Sequence, residues 1–303
     1  PTITEFTKVD LTGGQEIEGA KMQILDQEGK VVEEWVSKKE AHVVYALAPG
    51  EYILHEEQAP TEQGYVRAED VKFVVEETGD VQKVKMEDDH TKVSISKTDI
   101  TDGKEIEGAK LQILDQDGEV VESWTTGEEH LIEYLPVGTY TLHEEAAVDG
   151  YIVANDVEFT VEETGEIQKV KMEDERAMGQ LVIVKTDTDS KAALEGVEFV
   201  LLEKETGKEV GRLKTGKDGK AVSELLPIGT YENGVFKEPI TYVLKETATL
   251  KGYEKTEEEW EIVFTYQNDK TPVIEVVKEI QNKKIPETPG TVKPGPKTGD
   301  DTN

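Results

Sequence analysis

The sequence contains no cysteine, which excludes disulfides, thiolate catalysis and cysteine-bound metals together. Any covalent reinforcement must use other chemistry. No uninterrupted apolar run approaches the roughly 20 residues of a membrane-spanning helix, and no secretory leader opens the chain at Pro1. Basic residues are scarce: 34 Lys and Arg stand against 66 Asp and Glu, a formal charge of −32 over 303 residues. Such a charge repels phosphate backbones and anionic lipid surfaces, so neither nucleic acid nor a membrane surface is expected as a partner. No glycine-rich phosphate loop follows a strand and no Gly-x-Ser-x-Gly elbow occurs. The HEE runs at His55 and His143 lack the second histidine of a zinc-protease helix and read as exposed strand residues. Aspartate clusters at Asp115–Asp117 and Asp187–Asp189 do not fit a calcium loop closed by glutamate. Neither a metal, a cofactor nor a turnover enzyme is expected.

What is present is repetition. KVDLTGGQEIEGAKMQIL (8–25) returns as KTDITDGKEIEGAKLQIL (97–114), and VKFVVEETGDVQKVKMEDD (71–89) as VEFTVEETGEIQKVKMEDE (157–175). A diverged third copy starts at Lys185 and carries an insertion at 232–241 that contains the turn pair Asn233-Gly234. A period near 90 residues is too long for a solenoid, so each copy is read as a domain: 1–90, 91–178 and 179–284. Residues 285–303 are rich in proline and glycine and read as an extended tail. Within each copy, short alternating runs such as VSISK, AKLQIL and TYTLHE are punctuated by turn residues. The fold class is all-β: three tandem antiparallel sandwiches of about seven strands each. Trp35 and Trp124 are repeat-equivalent and read as packing residues.

Strand parity adds a chemical expectation, because residues i and i+2 share a face. Phe6 then shares its face with Lys8, Val93 and Ile95 with Lys97, and Leu181 and Ile183 with Lys185. On a middle strand Leu54 accompanies Glu56, Leu142 accompanies Glu144, and Leu244 accompanies Glu246. On the last strand Met86 accompanies Asp88, Met172 accompanies Asp174, and Ile280 accompanies Asn282. Each copy thus aims a lysine, a glutamate and an Asp or Asn into its core. The plain alternative is that these groups sit at strand ends already in water; the same parity on three strands of three copies argues against it. Buried charges without partners are costly. Burial favours a neutral lysine, which is a nucleophile, and a protonated glutamate, which can move protons. Attack on Asp or Asn would leave a side-chain amide and release water or ammonia. The first copy has Thr4 where the second has Val93, so its burial argument is the weakest.

The pattern K-x-D…EGA…G-x-Y-x-L-x-E…GY…V-x-M-x-D resembles the B-type repeats of collagen-binding surface adhesins of Gram-positive bacteria, and the prealbumin-like modules of sortase-assembled pilins. The resemblance implies intramolecular isopeptide bonds Lys8–Asp88, Lys97–Asp174 and Lys185–Asn282, assisted by Glu56, Glu144 and Glu246. Asn is the commoner acceptor in that family, and Asp89 or Glu173 remains open as an alternative to the neighbouring Asp. PKTGD (296–300) is similar to a sortase signal at Pro296, Lys297, Thr298 and Gly299, although Gly295 stands where Leu is usual and no hydrophobic stop follows. What the resemblance implies is an extracellular stalk anchored to the cell wall, with sortase and peptidoglycan as partners. A polymerised pilin subunit and a module binding a host extracellular-matrix protein are the other readings. No YPKN-like pilin lysine motif is visible, and the insertion 232–241 is where a recognition face would be sought.

Overall fold

A computed structural model describes residues 1–287; the sorting-like residues Pro296, Lys297, Thr298 and Gly299 lie outside the described residues. The first copy consists of β1 (Ile3–Asp10), β2 (Lys21–Leu25), β3 (Val31–Val36), β4 (His42–Tyr45), β5 (Gly50–Gln58), β6 (Tyr65–Val66), β7 (Val71–Val75) and β8 (Val81–His90). These strands form two four-stranded sheets, in the orders β4-β1-β8-β6 and β3-β2-β5-β7. Turn chemistry sets the boundaries: Asp26 caps the tight turn before β3 by accepting the N–H groups of Glu28 and Lys30. Alternation closes the sandwich. Phe6, Met22, Ile24, Leu54, Val84 and Met86 interdigitate from both sheets, with Trp35 and Phe73 packed against them, each fully buried side chain contributing about 1.5–3 kcal/mol. Trp35 stacks on His42 with ring centroids 4.2 Å apart, and Trp124 repeats this on His130 at 4.4 Å.

One expectation is corrected. The first copy has eight strands, and its sandwich is not wholly antiparallel. The first and last strands, β1 and β8, pair in parallel, with Ile3 opposite Val81 and Asp10 opposite Asp88. Lys92–Asp99 pairs in parallel with Ile167–Arg176 in the second copy, as Met178–Asp187 does with Val273–Asn282 in the third. Period-two alternation is the same for either direction, so it carries no signal for strand sense.

Packing divides the chain into two units. The first holds Pro1–Arg176 together with Tyr231–Phe236 and Asn268–Lys270; the second holds Ala177–Thr230, Lys237–Gln267 and the described residues from Thr271 on. Inside the first unit, Thr91 alone separates β8 from the next strand. Tyr134 lies against the end of the first copy. Its hydroxyl donates to Asp10 Oδ2 at 2.8 Å, and its ring stacks on the buried His90 at 3.9 Å. Gly64 has φ +80°, and a Cβ there would meet the Tyr134 carbonyl oxygen at 2.3 Å, so only glycine fits. The insertion supplies the turn and second strand of a two-stranded hairpin, Gly229–Glu232 with Val235–Pro239, turning at Asn233 (φ 50°) and Gly234 (φ 70°). Its Tyr231 packs within the first unit: the hydroxyl donates to the Gly150 carbonyl, and the Arg176 guanidinium lies 4.1 Å over the ring.

Candidate functional site

Each copy holds a lysine, a glutamate and an Asp or Asn in one dry cluster. Lys8 and Asp88 come from the paired strands β1 and β8. Lys8 sits opposite Met86, so Asp88 lies two residues further along the same face. Glu56 comes from β5 in the facing sheet, reaching across the core. All three are buried, with relative exposures of 4%, 0% and 0% for Lys8, Glu56 and Asp88. The Lys8 Nζ donates to Asp88 Oδ1 and lies 3.1 Å from Glu56 Oε2. In the second copy Lys97 Nζ donates to Asp174 Oδ1 and lies 2.9 Å from Glu144 Oε2. In the third, Lys185 Nζ donates to Asn282 Oδ1 at 2.5 Å and lies 3.0 Å from Glu246 Oε2. Thr4 does not expose the first site: it is itself buried, as are Val93 and Leu181 at the equivalent positions. Asp89 points the other way, pairing with Lys92, and Glu173 pairs with Lys171 on the surface.

The electrostatics differ between copies. Burial pushes Asp88 up to about 7; the Lys8 ammonium opposes this and the Glu56 carboxylate reinforces it. Asp174 rises to about 7 for the same reasons, with Lys97 opposing and Glu144 reinforcing. Asp88 Oδ2 and Glu56 Oε1 are buried without hydrogen-bond partners, as are Asp174 Oδ2 and Glu144 Oε1. Such a pair of oxygens is suited to one more proton than bare carboxylates hold. In the third copy burial lowers the Lys185 pKa, against the pull of Glu246. There the Asn282 amide supplies its own protons, donating from Nδ2 to Glu246 Oε1 at 2.8 Å.

Several participants have no counterpart in the sequence reading. The backbone N–H groups of Ala68 and Ala154 donate to Glu56 Oε2 and Glu144 Oε2 at 2.8 and 2.7 Å, holding the carboxylates toward the lysines. An alanine gives no side-chain signal for such a role. Thr249, whose hydroxyl accepts from Asn282 Nδ2 at 2.8 Å, was legible only as a departure from Ala59 and Ala147 at the matching positions. The histidines His55 and His143 face outward and pair with Asp70 and Asp156.

Each cluster puts an amine beside a carboxyl or carboxamide carbon and a glutamate carboxyl beside both, in a site closed to solvent. The geometry is intramolecular, so no substrate has to be recruited.

Comparison with known proteins places this architecture. The chain matches the model of the SpaA prealbumin-like fold domain three times, over residues 2–90, 91–176 and 179–239. Among solved structures it is similar to the Bacillus anthracis TIE protein, at 28% identity and a TM-score of 0.60, covering 93% of this chain and 51% of that one. This chain therefore spans about half the length of that relative. It shares its fold with BcpA, the major pilin subunit of Bacillus cereus, at 15% identity and a TM-score of 0.51, covering 94% of this chain and 99% of that one. No match is found among curated protein sequences. With three matched copies spanning most of its length, the chain belongs to the SpaA prealbumin-like domain family.

Proposed function

We propose that the chain is a rigid stalk of a Gram-positive cell-surface protein, each domain closed by its own Lys–Asp or Lys–Asn isopeptide bond and the whole tethered to peptidoglycan by sortase. The observation that carries this reading is the threefold recurrence of a buried Lys–Glu–Asp/Asn cluster on the same three strands. In the first two copies the neutral lysine amine attacks Cγ of the protonated Asp. The Cγ–O bond breaks, Glu56 or Glu144 relays a proton from the amine to the departing oxygen, and water leaves. In the third copy the same attack on Asn282 releases ammonia.

The bond links the first strand to the last, so tension applied to the two termini of a domain runs through it instead of peeling the sheets. By analogy with a disulfide closing a loop of similar length, each bond adds about 4–5 kcal/mol. Intact-mass spectrometry tests the reading. Two losses of about 18 Da and one of about 17 Da are expected, roughly 53 Da below the sequence mass. Folded protein at the full sequence mass would overturn it, and a partial deficit would identify the unreacted copy.

A further inference from the structure

Besides the acceptor, the three clusters differ at the position that follows the strand carrying the glutamate. There the first two copies have Ala59 and Ala147, and the third has Thr249. The two Ala copies have Asp acceptors, and the Thr copy has Asn. In the third copy the Asn282 amide is held on every side: Oδ1 accepts from Lys185 Nζ, one Nδ2 proton goes to Glu246 Oε1 and the other to Thr249 Oγ1.

We infer that Thr249 is the positioning residue that makes Asn282 usable as an acceptor, so that the residue three places after the glutamate sets whether a copy cross-links through Asp or through Asn. The inference rests on the isopeptide reading above. A carboxamide has two N–H donors, and in a dry core each needs an acceptor. Glu246 satisfies one. Without Thr249 the second would be orphaned, and the amide would gain by rotating its oxygen toward another donor. Rotation would take Nδ2, the leaving group, away from Glu246. The reaction needs it there: as Lys185 Nζ bonds to Cγ and the Cγ–Nδ2 bond breaks, the proton released by the amine passes through Glu246 to Nδ2, and ammonia departs. A protonated Asp has a single donor, which the glutamate alone satisfies, and alanine then suffices at the third position.

The test uses the full chain, synthesised cell-free, quenched at intervals in acidic denaturant and digested, with the peptide joining Lys185 to Asn282 quantified by mass spectrometry. The bonds of the first two copies serve as clocks within the same molecule. Thr249→Val, which keeps shape and removes the hydroxyl, is expected to slow bond formation in the third copy about ten-fold while the other two form at parental rate. Thr249→Ser is expected to restore it. Thr249→Val combined with Asn282→Asp is also expected to restore it, now with loss of water, an outcome that general damage to the fold would not produce. A Thr249→Val chain that reacts as fast as the parent overturns the inference, as does failure of either restoring variant. A parent chain with no bond in the third copy overturns the proposed function and this inference with it; a bonded parent with an unaffected Thr249→Val overturns this inference alone.

Discussion

The first two copies and the third present the same lysine and glutamate to different acceptors, and the difference lies in where the protons are kept. In the proposed reaction Asp88 and Asp174 must themselves hold a proton to become electrophiles, and burial beside a second carboxylate raises them to about 7. Asn282 needs no such shift, because its amide is already neutral; it needs orientation, and its hydrogen bonds to Glu246 and Thr249 provide that. Strand register therefore fixes which atoms meet, while the second sheet decides in what protonation state they meet.

The comparison breaks most readily at the glutamate. Glu144→Gln can still accept the Ala154 N–H but cannot relay a proton, so the second copy should remain unbonded, and with about 1 Da lost in the substitution the chain should be about 17 Da heavier than the parent. Losing a bond worth about 4–5 kcal/mol should lower the melting temperature of that domain by on the order of 20 °C, and trypsin should cut it faster. A parental mass in this variant would dissolve the shared mechanism.

Rate against pH separates the acceptors next. In the Asp copies the reactive form is the pair carrying one proton in total, on the Asp. Asp88 and Asp174 lose that proton as the pH rises through about 7, and the resulting carboxylate is no longer attacked. The time-resolved peptide assay should show both of these copies slowing as the pH rises above about 7. The third copy should rise as Lys185 loses its proton and then level off, because Asn282 has nothing to ionise. Matching profiles in all three copies would remove the distinction.

Asn282→Asp sharpens it with a smaller effect: the third copy should still close, lose about 18 Da in place of about 17 Da, and acquire the alkaline limb. Smallest of all, Glu145→Gln alters an exposed side chain beside Glu144 and should leave the cross-link formed and the stability within about 0.5 kcal/mol of the parent.

The inward parity of Lys8, Glu56 and Asp88 was legible because alternation survives in sequence, and repetition across copies separated it from chance. Thr4 obscured the pattern in the first copy, since a hydroxyl reads as a surface residue, yet its place on β1 buries it as deeply as an aliphatic one. The parallel pairing of β1 with β8 was not legible, because parity is blind to direction. Nor was the raised pKa of Asp88, which comes first from burial and is reinforced by a glutamate delivered from the other sheet. The Ala68 and Ala154 contacts are made by backbone, which every residue carries, so no residue type could announce them.

The single residue between β8 and the strand that follows has a consequence for extensibility. With the bonds closed, the stretch from Lys8 to Asp88 cannot be drawn out, and neither can that from Lys97 to Asp174. Between these two closed stretches the only chain free to lengthen is the short run from Asp88 to Lys97, which spans about 30 Å when fully extended. An unbonded copy pulled open would instead release on the order of 300 Å. Cross-linked, the stretch from Lys8 to Asp174 would lengthen under tension by no more than that short run allows.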